Sequence, residues 1–203
     1  VSGGGAFISF EGIDRSGKST QAALLAEALG ERAVLVREPG GTELAERVRT
    51  LLKDPDLPLS LRAEALLFAA ARADLVERVV APALTEGKVV IADRFIDSSL
   101  AYQGVARGLG VEEVERISLW ATAGLVPSLT FFIEVDVEVA VARGVEENDR
   151  FEDAGAELQR AVAGAYASIA EGAPERVVRI DGARAVDEVA ADVLGEFEAR
   201  VSL

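Results

Sequence analysis

Five short apolar runs recur along the chain: AFISFE (6–11), AVLVR (33–37), KVVIA (88–92), LTFFIEV (129–135) and RVVRI (176–180). Most of them lack the polar alternation of a half-solvated strand, as expected for strands covered on both faces of a parallel sheet. The intervals supply the cover. Helical patterns run over 18–29, 43–53, 61–80 (with a break expected before Pro82), 97–106, 111–123, 137–143, 155–170 and 185–200. This alternation predicts an α/β fold, a five-stranded parallel sheet flanked by helices on both faces. LKDPDLPLS (52–60) reads as an interhelical loop, not a domain boundary. The expected layout is a flexible glycine-rich leader over 1–5 and a single domain over 6–203. The absent initiator Met suggests processing or a cloning boundary.

Ligands of such sheets gather beyond the carboxyl ends of the strands. GIDRSGKST follows the first run, REPGGT the second, DRF the third and DGAR the fifth. These polar clusters are expected to converge on one site.

Composition limits the chemistry. The chain is 50% apolar and 28% charged, as soluble globular proteins are. Its most apolar helical stretch, ALLFAAA (65–71), meets Arg72 long before a membrane span is complete. The start shows no signal-peptide pattern, so a cytoplasmic, membrane-free protein is expected. A formal net charge of −14 disfavours a nucleic-acid partner, yet leaves room for a small anion in a local arginine pocket. There is no Cys and no His, which removes thiol nucleophiles and histidine triads and argues against a transition-metal site. A hard cation remains available.

Gly12–Ser19 fits G-x-x-x-x-G-K-[ST] in full, after a strand and before a helix. A glycine-rich turn matching by chance would rarely have that setting. The backbone of Gly12, Ile13, Asp14, Arg15, Ser16 and Gly17, continuing to Thr20, is expected to hold ATP phosphates. Lys18 should bridge the β- and γ-phosphates, and the Ser19 hydroxyl is placed for Mg²⁺. Arg15 is unusual there. It either supplies catalytic positive charge from within the loop or is a solvated loop residue. The expected lid, RGVEENDRFEDAG (143–155), carries only Arg143 and Arg150 against Glu146, Glu147, Asp149, Glu152 and Asp153. So acidic a segment is a poor sole source of catalytic cation.

FEGIDRSGKSTQ, REPGGT, DRFIDSSLAYQG and DRFE, in this order and spacing, resemble the thymidylate kinase family across about residues 6 to 195. The resemblance implies transfer of the ATP γ-phosphate to the 5′-phosphate of dTMP, giving dTDP for dTTP synthesis, with Mg²⁺ and a homodimer. A dimer surface would use helices 61–80 and 97–106. Family members carry the assisting cation either in the phosphate loop or in the lid. Arg15 looks like the first sort and REPGGT like the usual bacterial version, so the division between Arg15 and Arg150 stays open.

The remaining roles follow from the resemblance. Arg94 and Arg49 would grip the acceptor phosphate; a structural ion pair and a solvated helix face are the respective rivals. That phosphate is already ionised, so no strong base is required. Asp93 would hold Mg²⁺, partly through water, or else cap the next helix. Asp14 would meet the sugar 3′-hydroxyl or brace the loop. Phe68 and Arg72, four apart on one helix, would stack on thymine and donate to its carbonyl, although Phe68 alone also suits a core. Ser99 and Gln103 would approach the base, Tyr102 would exclude a 2′-hydroxyl, and Ser98 would cap or pack. EPGG suits a cis Glu38–Pro39 bend that turns Glu38 into the site. Arg143 would lie over adenine, with DGARAV (181–186) on its other side.

Two alternatives stay open. Another nucleoside or nucleotide kinase of this fold could use Glu38 as base. A nucleotide-dependent switch is opposed by DRF in place of D-x-x-G and by the lack of N-K-x-D.

Overall fold

The computed structural model describes residues 4–144 and 155–201. Arg150, the DRFE motif and most of the expected lid lie outside the described residues, as do residues 1–3 of the expected leader. Strands β1 (Ala6–Glu11), β2 (Ala33–Arg37), β3 (Val89–Asp93), β4 (Leu129–Glu134) and β5 (Val177–Asp181) form one sheet in the order β2-β3-β1-β4-β5. Every pairing is parallel, with Ile8 of β1 opposite both Ile91 of β3 and Leu129 of β4. All six residues of the central strand are buried, as its unbroken apolar run requires.

Nine α-helices connect and cover the strands among the described residues: α1 (Lys18–Leu29), α2 (Glu43–Lys53), α3 (Leu61–Leu75), α4 (Ala81–Thr85), α5 (Ile96–Ser99), α6 (Val111–Ala121), α7 (Val137–Ala142), α8 (Gly155–Gly172) and α9 (Val186–Arg200). Thr42 and Ser60 start α2 and α3 by accepting from the N–H groups of Ala45 and Ala63, which satisfies donors a helix start leaves unpaired. Alternate β1 side chains serve opposite layers. Ile8 and Phe10 pack with Leu25 of α1 and Val193 and Phe197 of α9, whereas Phe7 packs with Leu75, Val80 and Phe95. No described helix is long and apolar enough to cross a membrane.

Two helices depart from the expected pattern. Pro82 does not break the helical rod; a wide π turn, Val76–Val80, carries α3 into α4. Proline then falls in the first turn of α4, where its missing N–H costs least. The expected helix 97–106 is likewise α5 followed by a π turn over Leu100–Ala106, where Arg107 N–H bonds to Tyr102 O five residues back at 2.8 Å. Such widened turns often mark functional positions. Because β3 and β4 flank β1, the connections leave the sheet to opposite sides at the end of β1 and open a crevice there.

Candidate active site

A crevice of about 1360 Å³ lies over these strand ends. The phosphate loop, Glu38 after β2, Asp93 and Arg94 at β3, and Gly182 and Arg184 after β5 all line it. The four polar clusters therefore do converge.

At the donor end, a Cβ on Gly12 would stand 2.6 Å from Ile133 O and 2.8 Å from Ser16 Oγ, so only glycine fits where loop and β4 approach. Gly17, at φ 98°, turns the loop into α1. Arg15 is half-buried and adopts φ 63°, an uncommon backbone for a long side chain that holds it within the loop's turn. Lys18 is buried, and burial, with Arg94 next, pulls its pKa below the ordinary lysine value, against the nearby carboxylates of Asp93, Asp14 and Glu11. Ser19 and Thr20 stay exposed at the crevice. Arg143 donates to Arg15 O at 3.0 Å, Ser16 O at 2.9 Å and Gly182 O at 2.6 Å, tying the phosphate loop to the loop after β5.

Arg94, directly after β3, has φ 72° and turns inward. Its Nη1 donates to Gly12 O at 3.0 Å, Ser98 Oγ at 3.1 Å and Tyr166 Oη at 3.2 Å; its Nη2 meets Asp14 Oδ1 at 2.5 Å. Its guanidinium also lies 5.1 Å from the Tyr102 ring centre. Asp14 accepts further bonds from Tyr102 Oη at 3.1 Å and Gln159 Nε2 at 2.9 Å. Burial would raise the Asp14 carboxyl, but Arg94 and Lys18 hold it well below the usual range. The same desolvation drives the Tyr102 phenol upward, so it stays a donor.

The other end is built on Arg72, which is 1% exposed. Its Nε donates to both carboxylate oxygens of Glu38, at 3.1 and 2.8 Å, and its Nη2 reaches Glu38 Oε2 at 2.7 Å. Ser118 Oγ, Phe95 O and Ser99 Oγ accept its remaining bonds, at 3.2, 3.2 and 2.9 Å. The Glu38–Pro39 bond is cis, as EPGG suggests, and Glu38 N–H bonds to Asp93 O at 3.0 Å, which brings the carboxylate under Arg72. Phe68 is half-buried: it lines the crevice while packing on the small cluster of Ala45, Val48, Leu52 and Ala71. Gln103 is buried and donates to Glu64 Oε1 at 2.9 Å. Arg49 lines the crevice and donates to Pro39 O at 3.0 Å.

The oxygens present suit a hard cation. Asp93 Oδ1 is buried and makes no hydrogen bond among the described residues, and Asp93 does not cap α5, whose N-cap is Phe95. Among those residues no group of three or more acidic, His or Cys side chains could hold a metal. One carboxylate, one hydroxyl at Ser19 and the phosphates of a nucleotide are the usual magnesium set.

Sequence reasoning passed over several partners. Glu11, the last residue of β1, is wholly buried and accepts from Phe95 N–H at 2.7 Å, Ser98 Oγ at 2.6 Å and Tyr166 Oη at 3.0 Å. A carboxylate closing an otherwise apolar strand was a visible signal. Ser98, expected to cap or pack, donates to Glu11 Oε2 and accepts from Arg94 Nη1.

A family model described as thymidylate kinase matches residues 10–193. The thymidylate kinase of Symbiobacterium thermophilum is 50% identical over 192 residues, covering 92% of this chain and 90% of that protein. That of Kosmotoga olearia is 44% identical, covering 94% of each. The crystal structure of thymidylate kinase from Ehrlichia chaffeensis superposes with a TM-score of 0.78 at 34% identity, covering 95% of this chain and 98% of that one. With motifs, topology and relatives agreeing over nearly the full length, the chain belongs to the thymidylate kinase family.

Proposed function

We propose that this crevice transfers the γ-phosphate of ATP to the 5′-phosphate of dTMP. The observation that carries the reading is the inward turn of Arg94 onto Gly12 O, at 3.0 Å. It sets a cation from the acceptor side against the phosphate loop, where Lys18 waits for the donor. Two anionic nucleotides repel each other, and the chemistry consists mainly of cancelling that repulsion in place. Lys18, depressed by burial, gains when a phosphate arrives. Arg94 receives the acceptor phosphate with Arg49 at the rim, and Arg15 meets charge developing on the migrating group. Ser19 and Asp93 would hold Mg²⁺, whose part is to neutralise phosphate charge.

Asp14 and Tyr102 would line the sugar position, where the Tyr102 ring would exclude a 2′-hydroxyl. Phe68 stacks on the base, Ser99 flanks it and Arg72 donates to its carbonyl from Nη1, which Ser118 engages through one of two N–H groups. Arg143 and the 181–186 loop take the adenine end. A homodimer would cover Leu66, Val105 and Trp120, large apolar side chains left exposed on α3, the second π turn and α6.

The rival nucleoside kinase needs Glu38 as a base. Its carboxylate is already engaged by Arg72 through Nε and Nη2, which makes Glu38 a structural counter-ion. A phosphate-transfer assay with dTMP, thymidine, dUMP and UMP decides the acceptor; turnover of thymidine but not dTMP overturns the reading. Arg15→Ala should lower kcat by about two to three orders of magnitude with a modest change in the KM for ATP. Near-normal turnover would move that role to Arg150.

A further inference from the structure

Glu64 sits in the first turn of α3, is 0% exposed, and has no part in the roles above. Its Oε1 accepts from Gln103 Nε2 at 2.9 Å and faces Arg107 Nε at 3.6 Å. Gln103 itself is 2% exposed and lines the crevice, as Arg72 does. A glutamine amide has a donating and an accepting end of nearly equal size, and its partner on one side decides what it shows on the other. A carboxylate can only accept. Beside Arg107, Glu64 therefore draws the NH₂ end of Gln103 toward itself and leaves the carbonyl end for the ligand. Arg72 is fixed in the complementary sense, because a guanidinium only donates.

We propose that Glu64 is a positioning residue for base specificity, orienting the Gln103 amide so that its carbonyl oxygen accepts from the base. The inference rests on the dTMP reading and deepens it. A donor from Arg72 and an acceptor from Gln103 in one crevice match a 4-oxo pyrimidine with an N3–H, the pattern of thymine and uracil. Cytosine presents the reverse: an amino group toward Arg72 and a bare N3 toward the Gln103 oxygen. Polar groups left facing unlike partners in a buried site are rejected far more strongly than a change of shape alone.

Glu64→Gln tests this, since it keeps size, removes the charge, and adds an NH₂ that lets Gln103 turn over. The kcat/KM ratio of dTMP to dCMP should fall about 10- to 100-fold, chiefly through the KM for dTMP. The ratio of dTMP to dUMP, which depends on the 5-methyl group, should stay within about threefold. The double variant E64Q/Q103E exchanges the two groups at constant charge and again offers an acceptor to the base. It should retain the preference for dTMP over dCMP, and it keeps the test alive if E64Q does not fold. Parallel losses for both nucleotides in E64Q, or a double variant without the preference, overturn the inference. A wild-type protein with no preference for dTMP over dCMP would instead sink the function proposed above.

Discussion

Arg72 and Arg94 face the same crevice from opposite ends, and each lies against an aromatic ring, Phe95 at 5.4 Å and Tyr102 at 5.1 Å. Their electrostatics differ. Arg72 sits in a helix with ordinary backbone, is sealed from water, and has its charge matched by Glu38 through two nitrogens. Arg94 is held at φ 72°, keeps 17% of its side chain exposed, and leans mainly on neutral oxygens of Gly12, Ser98 and Tyr166. Its direct counter-ion among the described residues, Asp14, also serves Lys18. A guanidinium already neutralised suits a neutral base carbonyl. One left short of negative charge suits a phosphate. On the proposed reading, the end that would read the base is thus complete before substrate arrives, while the phosphate end would be completed by it.

The largest effect expected from this contrast is on stability. Arg72→Ala would strand the Glu38 carboxylate, which burial already pushes upward and Arg72 opposes. Breaking such a pair from one side costs about 3 to 5 kcal/mol, measured by chemical denaturation. Arg94→Ala should cost less, because its partners can rearrange toward the crevice; an equal loss would erase the distinction. Arg94→Ala should act instead on catalysis, lowering kcat/KM for dTMP about 100- to 1000-fold. Arg94→Gly should be as inactive yet more stable than the alanine variant by about 1 kcal/mol, since glycine accepts the left-handed backbone. A less stable glycine variant would show that φ 72° carries no strain.

Much of this was legible in the sequence, for local reasons. Strand positions followed from unbroken apolar runs, and the phosphate loop from a motif whose glycines are required by backbone contacts. The cis bond was legible because only X–Pro adopts it cheaply. The Pro82 rule failed because a widened turn realigned the helix upstream of it. What stayed hidden was the partnership of residues far apart in the chain. Tyr166 meets Glu11 across 155 positions, and Gln103 meets Glu64 across 39. No periodicity records such pairs. The sequence marks Arg72 as a candidate base contact, but its pairing with Glu38 joins residues 34 positions apart and leaves no local signal.

A last prediction bears on whether Arg94 can be made to resemble Arg72. Glu11 receives the Ser98 and Tyr166 hydroxyl protons, and the oxygens of those hydroxyls accept from Arg94. Burial, then the neighbouring Asp97 carboxylate, which pairs with Arg176 at 2.7 Å, raise the Glu11 pKa from 4.5 to about 7. Between those values the folded protein holds a proton that the unfolded chain has released. Stability therefore declines as pH rises through that window, and the full deficit is present above about 7. Glu11→Gln keeps the shape and never ionises. Its melting temperature relative to wild type should rise from pH 5 to pH 8, by about 2 to 6 °C for a contribution of about 1 to 2 kcal/mol. Over the same range wild-type Arg94 acquires, one hydroxyl away, the countercharge that Arg72 has in Glu38. A melting gap that stays constant across this range, or moves the other way, would mean that Glu11 is ionised throughout and that Arg94 is countered as fully as Arg72.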